Sequence, residues 1–214
     1  AVVQYPGQKF PWCPVLQGVQ GNGKSTLARC VELAVGPAYV HQGTAAQLKK
    51  DFNGWMHGSI LVVIDDIKIS KRRADVMERI KPIITQGRLS VELKGVDAST
   101  QDVCCNFWLN TNHKDALPIT ADERRFAVFF CEQQRAEHLA RDGMTMEYFG
   151  ALRRWLDGDG HAIVSEYLHT VEIPAQWNPS SEGMCGRAPA TTAALEAVHE
   201  SLATEAQHIE AAID

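Results

Sequence analysis

The apolar positions of this chain fall into short, nearly unbroken runs separated by stretches with helical spacing. "SILVVIDDI", residues 59 to 67, is dense in β-branched side chains and ends in two acids, the pattern of a strand buried on both faces. "VCCNFWLNTN", residues 103 to 112, reads as another central strand, and "RRFAVFF", from Arg124, as a further one. Val15 and Leu16 make a short strand ahead of a glycine-rich loop, and Ala38 to His41 predict one more. Between these runs, Lys24, Leu27, Val31 and Leu33 keep helical spacing until Gly36-Pro37 stops it. Thr44 is placed to cap a helix reaching about Trp55. Ser70 opens a basic helix that Pro82 kinks or ends. "RLSVELKGVDASTQDV" predicts a hairpin with its tip near Lys94-Gly95. Strands alternating with helices predict an α/β fold with a central parallel sheet flanked by helices.

Beyond Cys131 the pattern turns helical and acid-leaning, broken by the loop "VEIPAQWNPSSEGMCGRAP" and closed by a helix from Ala193 to Ile213. This divides the chain into a core, residues 1–131, and a C-terminal helical region, 132–214, continuous with it. With 214 residues, 45% hydrophobic and 22% charged, the composition is that of an ordinary globular protein. The net charge of -5 excludes a uniformly basic nucleic-acid binder, so any such contact is local. From Lys68 to Lys94, however, eight basic residues face three acids, a net of +5. The six cysteines have no C-x-x-C spacing and read as reduced thiols of a cytoplasmic protein. The longest apolar run, Ile60 to Ile64, is far too short to span a membrane.

Candidate chemistry concentrates in "GVQGNGKST", residues 18 to 26. Gly18 to Ser25 fit G-x-x-x-x-G-K-[S/T], the phosphate-binding loop. Its glycines let successive backbone N–H groups surround a polyphosphate, and the following helix adds its positive end. Gly18, Gly21, Asn22, Gly23, Lys24, Ser25 and Thr26 are therefore the expected nucleotide-binding residues. Lys24 reaches the β and γ phosphates of ATP, and the Ser25 hydroxyl ligates Mg²⁺. Asp65 and Asp66 end a buried strand, where ligands gather in open α/β sheets. One acid suits the metal and the next the attacking water, which points to hydrolysis. Asn110 and Asn112 end another central strand and can reach between the loop and the acids. Arg124 and Arg125 have two open roles. Each is either a salt-bridge partner of Asp122 or Glu123, or a finger that neutralises the transferring phosphoryl group.

The order of phosphate loop, double acid, hairpin lysine (Lys94), strand-end asparagine (Asn112) and arginines resembles the superfamily-3 helicases of the AAA+ class. Among these it is most similar to the ATPase domain of phage and plasmid primase-helicases, through "NTNHKDALPITADERRFAVF" and "WLDGDGHAIVSEYL". The resemblance covers roughly residues 10 to 180. It implies a P-loop NTPase fold of AAA+ type, with Lys24 and Ser25 on ATP and Mg²⁺ and Asp65 on the metal. It further implies Asp66 as general base, Asn112 as polar sensor with Asn110 its alternative, and Arg124 or Arg125 as the finger. Asp66 departs from the glutamate usual in AAA+ proteins. The resemblance also implies a ring, usually of six subunits, whose fingers reach a neighbour's ATP and whose Lys94 touches single-stranded DNA in the channel. The expected function is thus a DNA helicase motor of phage-type replication, either taken from or coded as part of a larger protein, in which a primase domain is one candidate companion, or a short natural ATPase. An ATP-dependent DNA-binding scaffold or loader, and a small-molecule kinase, are the alternatives.

Overall fold

A computed structural model describes residues 1–49, 53–69, 74–92, 98–120, 122–182, 184 and 186–200. Five strands form one parallel sheet: β1 (Cys13–Gln17), β2 (Val40–Gly43), β3 (Leu61–Ile64), β6 (Asn106–Thr111) and β7 (Phe126–Phe130). Their spatial order is β2-β3-β6-β1-β7, so β6 lies between β1, which leads into the glycine-rich loop, and the acid-bearing β3. β4 (Arg88–Val91) and β5 (Ser99–Asp102) form a separate antiparallel pair.

The alternation along β3 explains why both faces need cover. Val62 and Ile64 join one apolar cluster with Met77, Ile80 and Ile84 of α2 (Ala74–Thr85). Leu61 and Val63 join a second with Ala28, Val31 and Ala34 of α1 (Lys24–Val35). All four β3 residues are at most 2% exposed, as the unbroken run predicts. On the α1 side, α5 (His161–Thr170) packs alongside α1, and the amide of Gln4 donates to the carbonyls of Leu168 and Val171 at its end. The other helices of this region are α3 (Ala136–Arg141) and α4 (Met146–Trp155), the latter meeting α5 across a kink at Gly158. On the α2 side, a helix over 192–200 rests Ala197 in the core, and Thr191 just before it donates to the Val128 carbonyl.

Several sequence expectations shift. The second strand runs over Val40–Gly43, two residues later than expected. The helix expected after Thr44 is, where described, a 3₁₀ turn at Gln47–Lys49 and another at Gly54–Met56. Thr44 does cap: its N–H bonds the Gln47 side chain, and Gln47 N–H returns to its hydroxyl. Pro82 does not end α2, because it sits in the last turn, where only the Glu78 carbonyl loses a partner. In the C-terminal helices Trp155 is 47% exposed and Met146 almost fully exposed. Five described cysteines are free thiols, as expected; Cys185 lies outside the described residues.

Candidate functional site

The C-terminal ends of β1, β3 and β6 open into one cleft of about 320 Å³, lined by Gln20 to Thr26, Asp65, Asp66, Asn110, Asn112 and Phe149. The loop between β1 and α1 is built as its glycines require. Gly21 and Gly23 hold φ of +86° and +90°, a region that side chains other than glycine adopt at a cost. At Gly18 the constraint is space, since a Cβ there would lie 2.4 Å from the Asn22 amide nitrogen and 2.9 Å from the Cys131 Cβ. α1 begins at Lys24 with no side-chain cap and no acid in its first turn, so its leading N–H groups and positive dipole end face the cleft.

Lys24 lies folded along the loop. Its ammonium donates to the carbonyls of Gly18 (2.7 Å) and Val19 (3.0 Å) and to the side-chain oxygens of Asn22 (2.9 Å) and Asn112 (3.1 Å). Burial lowers its pKa from the ordinary lysine value, opposed by Cys131, Asp66 and Asp65. Asn22 itself is 8% exposed, and its Nδ2 has no hydrogen-bond partner among the described residues.

The two asparagines sort the two acids. Asn110 donates to Asp65 at 2.7 Å, and the same Asp65 oxygen accepts the Ser25 hydroxyl at 3.3 Å. Asn112 donates to Asp66 at 2.7 Å while its carbonyl oxygen accepts from Lys24. Asp66 reaches Asn112 from a left-handed conformation, φ +52°, which aspartate tolerates better than most residues. Ile67 N–H, bonded to the Asn110 carbonyl, ties the acid turn to the end of β6. Mg²⁺ is ordinarily held by one or two carboxylates together with substrate phosphates and water. A hydroxyl and a carboxylate 3.3 Å apart beside the glycine-rich loop fit the protein's share of that donor set.

Not every expected residue comes to the cleft. Arg124 and Arg125 precede β7, and the Arg125 carbonyl accepts from Cys13 at the far end of β1. The five residues of β7 lie between Arg125 and Cys131 beside the loop, a rise of about 20 Å over six steps. Arg125 pairs with the almost buried Glu123 at 3.1 Å, the salt bridge that one reading of the sequence gave it, whereas Arg124 is exposed. Lys94 lies outside the described residues. The antiparallel pair β4–β5 on either side of it is present, with Val91 opposite Ser99. Within the basic stretch, Lys68, Lys81 and Arg88 each face an acid: Asp115, Glu78 and Asp102 respectively. Lys71, Arg72 and Arg73 lie outside the described residues.

Sequence reasoning missed Phe149. It belongs to α4, more than 120 residues beyond the loop, yet its ring would touch a Cβ on Gly23 at 3.5 Å. No motif marks it. Gln17 was also missed, though a buried glutamine ending β1 is a visible signal. It donates to the Asn112 carbonyl and accepts from Gln134, which in turn holds the Cys131 carbonyl.

Comparison with known proteins gives three kinds of likeness. The DNA Primase-polymerase of Nitratiruptor phage NrS-1 is 25% identical over 119 residues, which make up 55% of this chain and 17% of that protein. The apo structure of the NrS-1 C terminal region (305-718) superposes with a TM-score of 0.72 at 20% identity, over 94% of this chain and 45% of that one. The A form apo structure of the same region gives 0.69 at 19% identity, over 94% and 44%. This chain therefore spans less than half the length of the solved relatives, whose likeness is one of fold. The third match runs from β1 to the arginine before β7: residues 16–125 fit the family of unknown function DUF5906. That is more than half of the chain, which belongs to the DUF5906 family.

Proposed function

We propose that this chain is an ATP-hydrolysing motor of a phage-type DNA replication protein, with a P-loop fold of AAA+ type, acting as a ring on single-stranded DNA. The observation that carries the proposal is the hydrogen-bonded chain Lys24–Asn112–Asp66, alongside Ser25–Asp65–Asn110. It joins a phosphate-binding cation to an acid through one amide, at the place where an attacking water must be oriented. The DNA Primase-polymerase of a phage among the relatives supports the setting.

In this reading the loop N–H groups and Lys24 grip the β and γ phosphates of ATP, Lys24 exchanging its loop carbonyls for phosphate oxygens. Asp66 accepts a proton as water oxygen bonds to the γ phosphorus and the bond to the bridging oxygen breaks. Asn112 holds Asp66 and Lys24 in register for that event. Ser25 and Asp65 hold Mg²⁺, which when bound neutralises charge on the phosphates. Asn110 fixes Asp65. Arg124 cannot reach its own chain's cleft, and supplies its guanidinium to a neighbouring subunit's site.

The assignment is tested with Lys24→Ala, using wild-type chain and Mg²⁺ throughout. Binding of ATP weakens at least about tenfold and turnover falls to background, as expected when one charge-assisted phosphate contact is lost. Wild-type turnover in this variant would remove the phosphate-loop assignment.

A further inference from the structure

Cys131 follows β7 directly and stands against the entrance of the glycine-rich loop. Its N–H donates to the Gln17 carbonyl at 2.8 Å and its carbonyl accepts from the Gln134 side chain at 2.6 Å. Two residues on, the Gln133 carbonyl takes the Val19 N–H at 2.8 Å. From the other side, Gly18 N–H donates to the Thr111 carbonyl at the end of β6. Backbone hydrogen bonds thus hold Gly18 and Cys131 against each other. The point where a Gly18 Cβ would stand lies 3.3 Å from the Cys131 Sγ and 2.4 Å from the Asn22 Nδ2, so thiol and amide converge on one flank of Gly18. Asn22 is more than nine-tenths buried, and that Nδ2 has no acceptor among the described residues, while its Oδ1 holds Lys24. A buried donor without an acceptor is costly, and it marks a place suited to an acceptor atom.

The described cysteines differ in what their surroundings allow. Burial pushes the thiols of Cys13, Cys30 and Cys105 up from their ordinary value, which keeps them protonated and inert. Cys104 and Cys131 are only half-buried. Cys104 precedes β6, at the amino end of the sheet and away from the cleft. Cys131 lies at the carboxyl end, beside the Lys24 ammonium: burial lowers the Lys24 pKa, and negative charge on the Cys131 sulfur is the strongest influence opposing it. A partly exposed thiol next to a lysine and a helix N-terminus has the surroundings of cysteines that react with oxidants.

We propose that Cys131 is an oxidative modification site, taken by a hydroperoxide, and that its sulfenic acid closes the glycine-rich loop to a triphosphate. The inference rests on the reading of this cleft as a nucleotide site and concerns its regulation. The Cys131 sulfur attacks one peroxide oxygen, and an S–O bond forms as the O–O bond breaks. The leaving hydroxide takes up the thiol proton as water; sulfur is oxidised and the peroxide reduced. The oxygen now on sulfur is the acceptor that the Asn22 Nδ2 lacks. With that bond made, the loop is fixed in the arrangement in which Lys24 is spent on Gly18, Val19 and Asn22, and a triphosphate has to break it to reach the ammonium.

The whole chain is treated with hydrogen peroxide and then with dimedone, which adds to sulfenic acids, and peptide mass spectrometry locates the adduct. It is expected on Cys131 and not on Cys13, Cys30 or Cys105. In calorimetric titration without dimedone, the peroxide-treated chain binds Mg²⁺-ATP at least about tenfold more weakly, the scale of one lost charge-assisted phosphate contact. Dithiothreitol restores the affinity, because a sulfenic acid is reducible. Cys131→Ser binds ATP as the untreated wild type does and does not respond to peroxide. The labelling and its reversal use the wild-type chain, so they stand even if the serine variant fails to fold. Absence of an adduct at Cys131 overturns the inference. So does an adduct with unchanged ATP affinity, or an equal loss of affinity in peroxide-treated Cys131→Ser. Failure of the underlying reading looks different: untreated Lys24→Ala would then match untreated wild type in ATP affinity, whether or not Cys131 is labelled.

Discussion

Asn112 occupies the position on which the proposed chemistry turns, because one amide gives both its ends to opposite charges. Its oxygen accepts from Lys24 and its nitrogen donates to Asp66. Asn110, two residues earlier, spends its nitrogen on Asp65 and accepts the Trp108 indole N–H at 3.0 Å on its oxygen. The sequence left these two residues as alternatives for one role; the hydrogen bonds divide the work between them. Consequently the variants should differ. Asn112→Ala is expected to lower kcat by about 10² to 10³ with little change in ATP affinity, the usual scale for losing one preorganised polar group. Asn110→Ala should instead raise the Mg²⁺ concentration needed for half-maximal turnover, since it frees the metal-side carboxylate. Steady-state kinetics against ATP and against Mg²⁺ distinguish them. Identical profiles for the two variants would mean that the division of roles is wrong.

At the scale of elements, the strand order does what no single motif does. β6 lies between β1 and β3, so the asparagines at its end necessarily fall between the loop and the acids. The β4–β5 pair, expected from the sequence as a hairpin, stands outside this sheet, which the local pattern does not tell. Its described basic residue, Arg88, pairs with Asp102 across the ladder. If the hairpin lies against DNA, Lys94→Ala keeps the basal ATPase rate and abolishes its stimulation by single-stranded DNA. A stimulated rate equal to wild type would show that this turn does not touch the strand. Hairpin and helix α2 were legible because their patterns are local. The helix expected after Thr44 was not, since T-x-x-Q signals a cap equally well for one 3₁₀ turn or four helical ones.

Across the whole molecule, the sheet itself keeps Arg124 and Arg125 from the cleft of their own chain. Parallel strands put all carboxyl ends together and all amino ends about 20 Å away. Hydrolysis assisted by Arg124 thus requires a second copy. ATP turnover per chain is expected to climb with protein concentration, and again on adding single-stranded DNA. Mixing Arg124→Ala with Lys24→Ala should recover part of the activity that each lacks alone, because an intact loop can then meet an intact arginine. Turnover independent of concentration, together with no recovery on mixing, would rule out shared sites. Arg125→Ala is a different experiment: it strands Glu123 without its partner, and its first effect is on stability.

What the sequence determined by itself was whatever depends on neighbours in the chain. The glycine spacing dictates a tight loop with positive φ at Gly21 and Gly23, "ILVVI" a strand covered on both faces, and two acids after it a polar strand end. Each follows from backbone sterics or from the alternation of side chains, which act over a few residues. The tertiary structure decided what depends on which strands lie side by side. It paired Asn110 with Asp65 and Asn112 with Asp66, set Arg125 in a salt bridge and left Arg124 exposed, and brought Phe149 onto Gly23 across more than 120 residues of chain. Such contacts arise from burying the sheet's two faces under α1, α2 and the C-terminal helices, a condition on the whole chain that leaves no local pattern to read.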